Sequence, residues 1–179
     1  MEEFVAFPKI PRLSREVVIT EKIDGTNAQI YFTDDMQMFV GSRTRWITPG
    51  KQDNTGFAGW CEANRKELEK LGPGRHFGEW WGQGIQRTYG LKEKRFSLFN
   101  SLRWTDEVRP SCCHVVPVLW RGRFDTDQIE RVLDNLREEG SMAAPGFMNP
   151  EGIIVFHTAG NFGMKKTLDN DALPKSLVK

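Results

Sequence analysis

No stretch of the 179 residues approaches the roughly 20 consecutive apolar positions of a membrane span, and the N-terminus carries no apolar signal-peptide core. These absences lead to the expectation of a cytoplasmic protein that makes no use of a membrane. Net charge is almost absent too, since 25 Lys and Arg face 24 Asp and Glu to leave +1. No global field draws the chain to nucleic acid or lipid, although cations can still segregate into one groove. Cysteine is scarce. Three residues, two of them adjacent at Cys112 and Cys113, build no disulfide framework, which suits a reducing compartment. That adjacency, even with His114 beside it, is the wrong spacing for a zinc knuckle. The Gly-x-x-x-x-Gly-Lys-Ser/Thr phosphate loop is missing, and GQGIQRTYG holds a Gly-x-Gly without the rest of the dinucleotide fingerprint. Linkers, repeats and low-complexity segments are lacking as well.

What remains is the composition of a globular domain, 27% charged and 39% hydrophobic, long enough to bury a real core. The expectation is one domain over 1–179. Six Trp and twelve Phe are many for this length. Most belong in a core, and the rest suit stacking on bases. Residues 17–23 and 28–33 read as two strands joined in a hairpin around Asp24-Gly25. A turn at Asp34-Asp35 leads to a third strand, MQMFVGSR. Phe57, Trp60, Cys61, Asn64, Leu68 and Leu71, at i, i+3, i+4 spacing, give a helix over 56–71, ended by Gly72-Pro73-Gly74. RHFGEWWG, FSLFNSLRW and CHVVPVLW are strand-like runs. A second helix spans 127–139, with Asp125 and Gln128 as a capping pair and Gly140 as a stop. EGIIVFHT and NFGMKKTL are the last strands, and the basic tail ALPKSLVK is expected to fray. Strands outnumber helices and tight turns join the first ones. The expected fold class is α+β, antiparallel sheets with packed helices.

The chemistry centres on TEKIDGTN. An amine attacks phosphorus only in its neutral form, so a reactive lysine needs desolvation or neighbouring positive charge. Lys22, at the end of the apolar run VVIT, is placed for the former. Gly25 allows a tight bend that brings backbone N–H groups toward a phosphate. Asn27 adds a neutral donor. Arg43 and Lys165 are fixed cations suited to phosphate oxygens. Glu151 opens an apolar strand, where a carboxylate is costly unless paired or metal-bound. His76 and His157 read as structural.

Lys22-Ile23-Asp24-Gly25 resembles the K-x-D-G signature of covalent nucleotidyltransferases, the superfamily of polynucleotide ligases and mRNA-capping enzymes. GSRTR at 41–45, FGEWWG at 77–82, RFSLFN at 95–100, EGIIVF at 151–156 and MKKT at 164–167 are similar to its further motifs, in the family's order. Asn100 stands where an Asp is usual. The resemblance covers residues of about 17–167 and is nearest to ATP-dependent RNA ligases of the double-strand-sealing type, in their adenylyltransferase domain. It implies a ligase-type nucleotidyltransferase fold and an enzyme in which Lys22 takes AMP from ATP. AMP then passes to a polynucleotide 5′-phosphate, and a 3′-hydroxyl displaces it.

The same resemblance implies the site residues. Lys22, Glu151 and Lys165 are catalytic, and Glu151 supports Mg2+ or Mn2+. Glu21, Ile23, Asn27, Arg43, Glu79, Phe99, Lys165 and Lys166 contact the nucleotide. Glu21 would address the adenine amino group through its backbone or carboxylate, and Glu79 a ribose hydroxyl. Phe99 would stack on adenine, with Phe96 as the alternative. The family pattern separates its two closing lysines by one residue. MKKT does not, and Lys165 is preferred over Lys166. RNA ends, or DNA, are the expected partners, met by the loops TRWITPGKQDN and WWGQGIQRTYG. No room is left for the C-terminal domain of related ligases or the appended OB domain of capping enzymes, so an accessory protein or oligomer is the expected substitute. The rival readings are a DNA nick ligase, a capping-type guanylyltransferase, and a catalytically silent nucleotide- or nucleic-acid-binding module.

Overall fold

A computed structural model describes residues 2–172, so the expected fraying of the tail lies outside the described residues but for Ala172. Two sheets dominate. The smaller has strands β1 (Glu16–Lys22), β8 (Val118–Arg123), β9 (Gly152–His157) and β10 (Phe162–Thr167), in the order β10-β9-β1-β8. The larger has β2 (Thr26–Phe32), β3 (Met38–Ser42), β4 (Trp46–Ile47), β5 (Gly74–Gly82), β6 (Lys94–Leu98) and β7 (His114–Val115), in the order β4-β3-β2-β5-β6-β7. All pairs are antiparallel except β6 with β7. With three helices packed on these sheets, the α+β expectation stands, refined by that one parallel pair.

The hairpin around Asp24-Gly25 does not form. β1 and β2 lie in different sheets, and Ile23-Asp24-Gly25 is the passage between them. Gly25 is needed there for space, because a Cβ would stand 2.5 Å from the Trp80 carbonyl oxygen and 2.7 Å from the Trp81 Cβ. The run CHVVPVLW likewise splits at Val116-Pro117, its first part joining the large sheet and its second the small one. The true first hairpin is β2–β3, closed by the Thr33 N–H to Gln37 carbonyl bond. The strand expected over 96–104 ends at Leu98. The Asn100 side chain accepts from the Arg103 N–H in a turn that brings Trp104 back against the core.

The helix expected over 56–71 is broken. It runs as α1 (Phe57–Ala63), α2 (Arg65–Leu68) and a 3-10 turn (Glu69–Leu71). At the break the Asn64 side chain donates to the Trp60 carbonyl, so it competes with the backbone ladder. Phe57, Cys61, Leu68 and Leu71 still face one way, onto Ile30, Phe32, Trp80, Phe96 and Leu98 of the large sheet. α3 (Thr126–Glu139) follows its expectation, with Asp125 accepting from the Gln128 N–H at 3.1 Å and Gly140 closing the C-terminus. Its Ile129, Val132, Leu133 and Leu136 pack on Val17, Ile19, Ile153 and Val155 of the small sheet. A third cluster of Ile23, Trp81, Tyr89, Val116 and Ala144 lies where the chain passes between sheets. Among the described residues no helix is long and apolar enough to cross a membrane.

Candidate active site

Val17 and Ile19 of β1 pack against α3, and along the regular pairing with β9 Lys22 falls on the other face with Val18 and Thr20. Register places Lys22 opposite Gly152 of β9, next to Glu151. Lys22 Nζ donates to Glu151 Oε2 at 2.5 Å, and Glu151 is only 6% exposed in its side chain. Gly152 belongs to this arrangement, since a Cβ there would stand 2.2 Å from the Lys166 carbonyl oxygen on β10. Two glycines, Gly25 and Gly152, therefore let three segments converge on one lysine.

Glu79 approaches from the large sheet. Its Oε1 accepts from the Gly25 N–H at 3.1 Å and its Oε2 from the Asn27 amide at 2.9 Å. The Gly25 backbone and the Asn27 amide, both expected to address a phosphate, are thus turned toward Glu79. Burial pushes the Glu79 carboxyl up to about 7, against the lowering effects of Asn27, the Lys22 charge and Gly25. A cavity of about 470 Å³, walled by Trp81, Ser97, His114, Pro117 and Met142 among others, does not have Lys22, Glu79 or Glu151 in its lining.

The two phenylalanines separate cleanly. Phe96 is fully buried against Phe57 and Trp60, so the core claims it. Phe99 follows β6, donates its N–H to the Phe77 carbonyl, and is 42% exposed. The lysines separate as well. Lys165 pairs in register with Ile154, which shares a face with Thr20 and hence with Lys22. Lys166 pairs with Ile153 on the α3 face, and its Nζ lies 2.9 Å from Glu130 Oε1.

Glu21 turns away from Lys22. Its carboxylate accepts from the Ser141 hydroxyl at 2.6 Å and the Ala143 N–H at 2.9 Å, and burial raises its pKa above the usual carboxylate range. The carboxylate is a strut for the 141–144 loop, which leaves the backbone as the part of Glu21 nearest the site. Ile23 is buried in the third core cluster. Arg43 is exposed, one residue past the end of β3 and next in line to lie opposite Asn27.

One group of residues carried no motif. Arg87 Nε donates to Asp24 Oδ2 at 3.1 Å, and its Nη1 donates to the carbonyl and side-chain oxygens of Asn149. The Tyr89 hydroxyl accepts from the Asp24 N–H at 2.8 Å. Arg87 and Tyr89 thereby tie the passage after Lys22 to the segment before Glu151. WWGQGIQRTYG is consequently no open aromatic loop, because Trp80, Trp81 and Tyr89 are all buried. The backbone offers the one signal, positive φ at Gln86, Thr88 and Tyr89, and no sequence pattern announces it.

The chain belongs to the RNA ligase family, whose family model matches residues 15–168. Solved mutant forms of the RNA ligase of Naegleria gruberi share the fold. An apo form matches at 20% identity over 86% of this chain and 50% of that one, with a TM-score of 0.63. A form with AMP and Mn matches at 19% identity over 87% and 50%, with a TM-score of 0.64. A form with ATP and Mn matches at 21% identity over 88% and 51%, with a TM-score of 0.63. The chain spans about half the length of these ligase chains. No curated protein matches the sequence.

Proposed function

We propose that this unit activates and seals RNA ends through a lysyl-AMP formed from ATP. The Lys22 Nζ lone pair attacks the α-phosphorus, a P–N bond forms, the bond to the β-phosphate oxygen breaks, and pyrophosphate leaves. The Nζ proton faces Glu151 Oε2, its acceptor in the resting pair. AMP then passes to an RNA 5′-phosphate as a 5′–5′ pyrophosphate. A 3′-hydroxyl oxygen attacks that end and AMP departs. Positioning and charge carry such transfers more than acid–base chemistry does.

The observation that carries this reading is the Lys22–Glu151 contact at 2.5 Å, flanked by Glu79. Family membership and the ATP- and AMP-bound relatives support it. Glu79 would accept from a ribose hydroxyl, Phe99 would stack on the base, and Arg43 and Lys165 would lie against phosphates. A hard divalent ion, Mg2+ or Mn2+, suits Glu151 with phosphate oxygens and water completing its shell. Among the described residues no group of three His, Cys, Asp or Glu could hold a metal by itself, consistent with an ion held largely by the nucleotide. It would supply charge neutralisation.

The test is incubation with α-labelled ATP and Mg2+ followed by a denaturing gel, after confirming by mass that the protein is not already adenylylated. An acid-labile band with ATP, absent with GTP and absent in Lys22→Ala, is expected. Labelling by GTP would move the assignment to capping, and no band with either nucleotide would leave a silent binding module.

A further inference from the structure

We infer that the open face of the large sheet, beyond Glu79, is a stacking platform for an unpaired RNA strand leading to Lys22. This rests on the ligase reading above. Residues opposite one another in register share a face. Asn27 and Glu79 form the row at the nucleotide site. The next row outward is Trp46, Gly41, Gln29 and Phe77, with Phe99 beside Phe77. The third is Phe39, Tyr31 and Arg75. Two residues along a strand advance only about 7 Å, so the platform begins one row from the carboxylate that flanks Lys22.

This face is not a core left uncovered. Its apolar members are all aromatic, and none is Leu, Ile, Val or Met. Trp46 is 49% exposed, Phe39 41% and Phe77 50%. The Trp46 and Tyr31 rings are stacked 6.3 Å apart, and Phe39 lies 5.7 Å from Trp46. The Arg75 guanidinium sits 4.5 Å from the Tyr31 centroid and 5.4 Å from that of Trp46. Gln29 accepts from Arg75 at 3.1 Å and holds it there. Gly41 keeps the surface flat, since a Cβ would come within 3.2 Å of the Trp46 ring and 2.9 Å of Gln29 Cγ.

Charge selects the occupant. From Met36 to Gln52 the chain has Arg43, Arg45 and Lys51 and no acid. These cations, in the segment that carries Trp46, together with the Arg75 guanidinium and the exposed rings, fit a polyanion whose bases present their faces. A duplex hides those faces and an apolar protein surface would not match the cations. The occupant is therefore a single strand or overhang.

The experiment measures anisotropy of a labelled 12-nucleotide oligouridylate, and of an RNA duplex of that length, with wild type, Trp46→Ala, Trp46→Phe, Arg75→Ala and Arg75→Lys. Labelling by ATP alone is run in parallel and is expected to change less than about twofold in each variant. Single-strand affinity should fall about tenfold or more in Trp46→Ala and Arg75→Ala, the scale of one lost stacking contact. Trp46→Phe should recover most of it, and Arg75→Lys only part. Duplex affinity should be weaker at the outset and little changed. Unchanged single-strand affinity in both alanine variants would overturn the platform, as would a wild type that binds the single strand no better than the duplex or not at all. Failure of wild type to label with ATP would instead count against the ligase reading, and the binding comparison would still decide the platform.

Discussion

Lys22 and Glu151 are 129 positions apart in sequence and 2.5 Å apart in space, Nζ donating to Oε2 across the antiparallel pair of β1 and β9. The contact joins the nucleophile candidate to the carboxylate that opens the next strand. Register alone produces it, since Lys22 stands opposite Gly152 and Glu151 precedes that glycine.

Removing either partner should separate chemistry from stability. Lys22→Met is expected to abolish labelling by ATP and to leave the Glu151 carboxylate without this partner. A buried acceptor that loses its donor costs about 1–3 kcal/mol. At roughly 2–4 °C per kcal/mol for a chain of this size, the melting temperature should drop measurably. Glu151→Gln keeps a hydrogen-bond acceptor, so it should melt nearer wild type yet label at least about tenfold more slowly. Labelling at the wild-type rate would remove Glu151 from the chemistry.

Glu79 should give stability a pH dependence of definite sign. Burial, opposed by its donors and by Lys22, holds the folded-state carboxyl at about 7 against 4.5 for a free one. Between those values the folded state binds the extra proton. The associated stability is fully present below pH 4.5 and is lost as pH rises through 7. Urea denaturation from pH 4.5 to 8 should show this decline, on the order of 3 kcal/mol, and Glu79→Gln should flatten it whatever its absolute stability. Equal slopes in the two proteins would rule out a raised Glu79.

The adjacent lysines should behave differently. Lys165 shares a face with Lys22, while Lys166 pairs with Glu130 on the helix face. Lys165→Ala is expected to slow adenylylation about 100-fold, the scale of losing one charged stabiliser of a transition state. Lys166→Ala gives up one surface ion pair worth about 0–1 kcal/mol and should label within about threefold of wild type. The reverse order of effects would exchange their roles.

Phe96 and Phe99 provide a matched contrast. Phe96→Ala opens a cavity against Phe57 and Trp60 and should destabilise by about 3–5 kcal/mol. Phe99→Ala removes a half-exposed ring and should cost under about 1 kcal/mol of stability. Its effect belongs in nucleotide affinity, about tenfold or more if the ring stacks on the base. Calorimetric titration with ATP and a thermal melt on both variants distinguish the two.

Some of this was legible in the chain itself. α3 could be read from its apolar spacing, its Asp125 cap and Gly140, because those signals are local. The closeness of Lys22, Glu79 and Glu151 was legible only through the resemblance of their motifs. The Asp24-Gly25 pair suggests a hairpin that does not form, because an Asp-Gly pair between two apolar runs carries no mark of which sheet each run joins. The roles of Arg87 and Tyr89 are not legible in the sequence, because an arginine and a tyrosine in a polar loop look solvated until the fold supplies their hydrogen-bond partners.

By itself the sequence determined the periodicities, the caps, and the order of a lysine, carboxylates and cations along the strands. These follow from side-chain chemistry and from the two repeats of helix and strand, which act over a few residues. The tertiary structure decided which face each of those residues occupies. It sent Glu21 to the 141–144 loop and Lys22 to Glu151, divided Lys165 from Lys166, and left Phe99 exposed while burying Phe96. The physical reason is that facing depends on register and on which sheet a strand enters. Contacts between segments more than a hundred residues apart set both, through close approaches at Gly25 and Gly152 that no local pattern encodes.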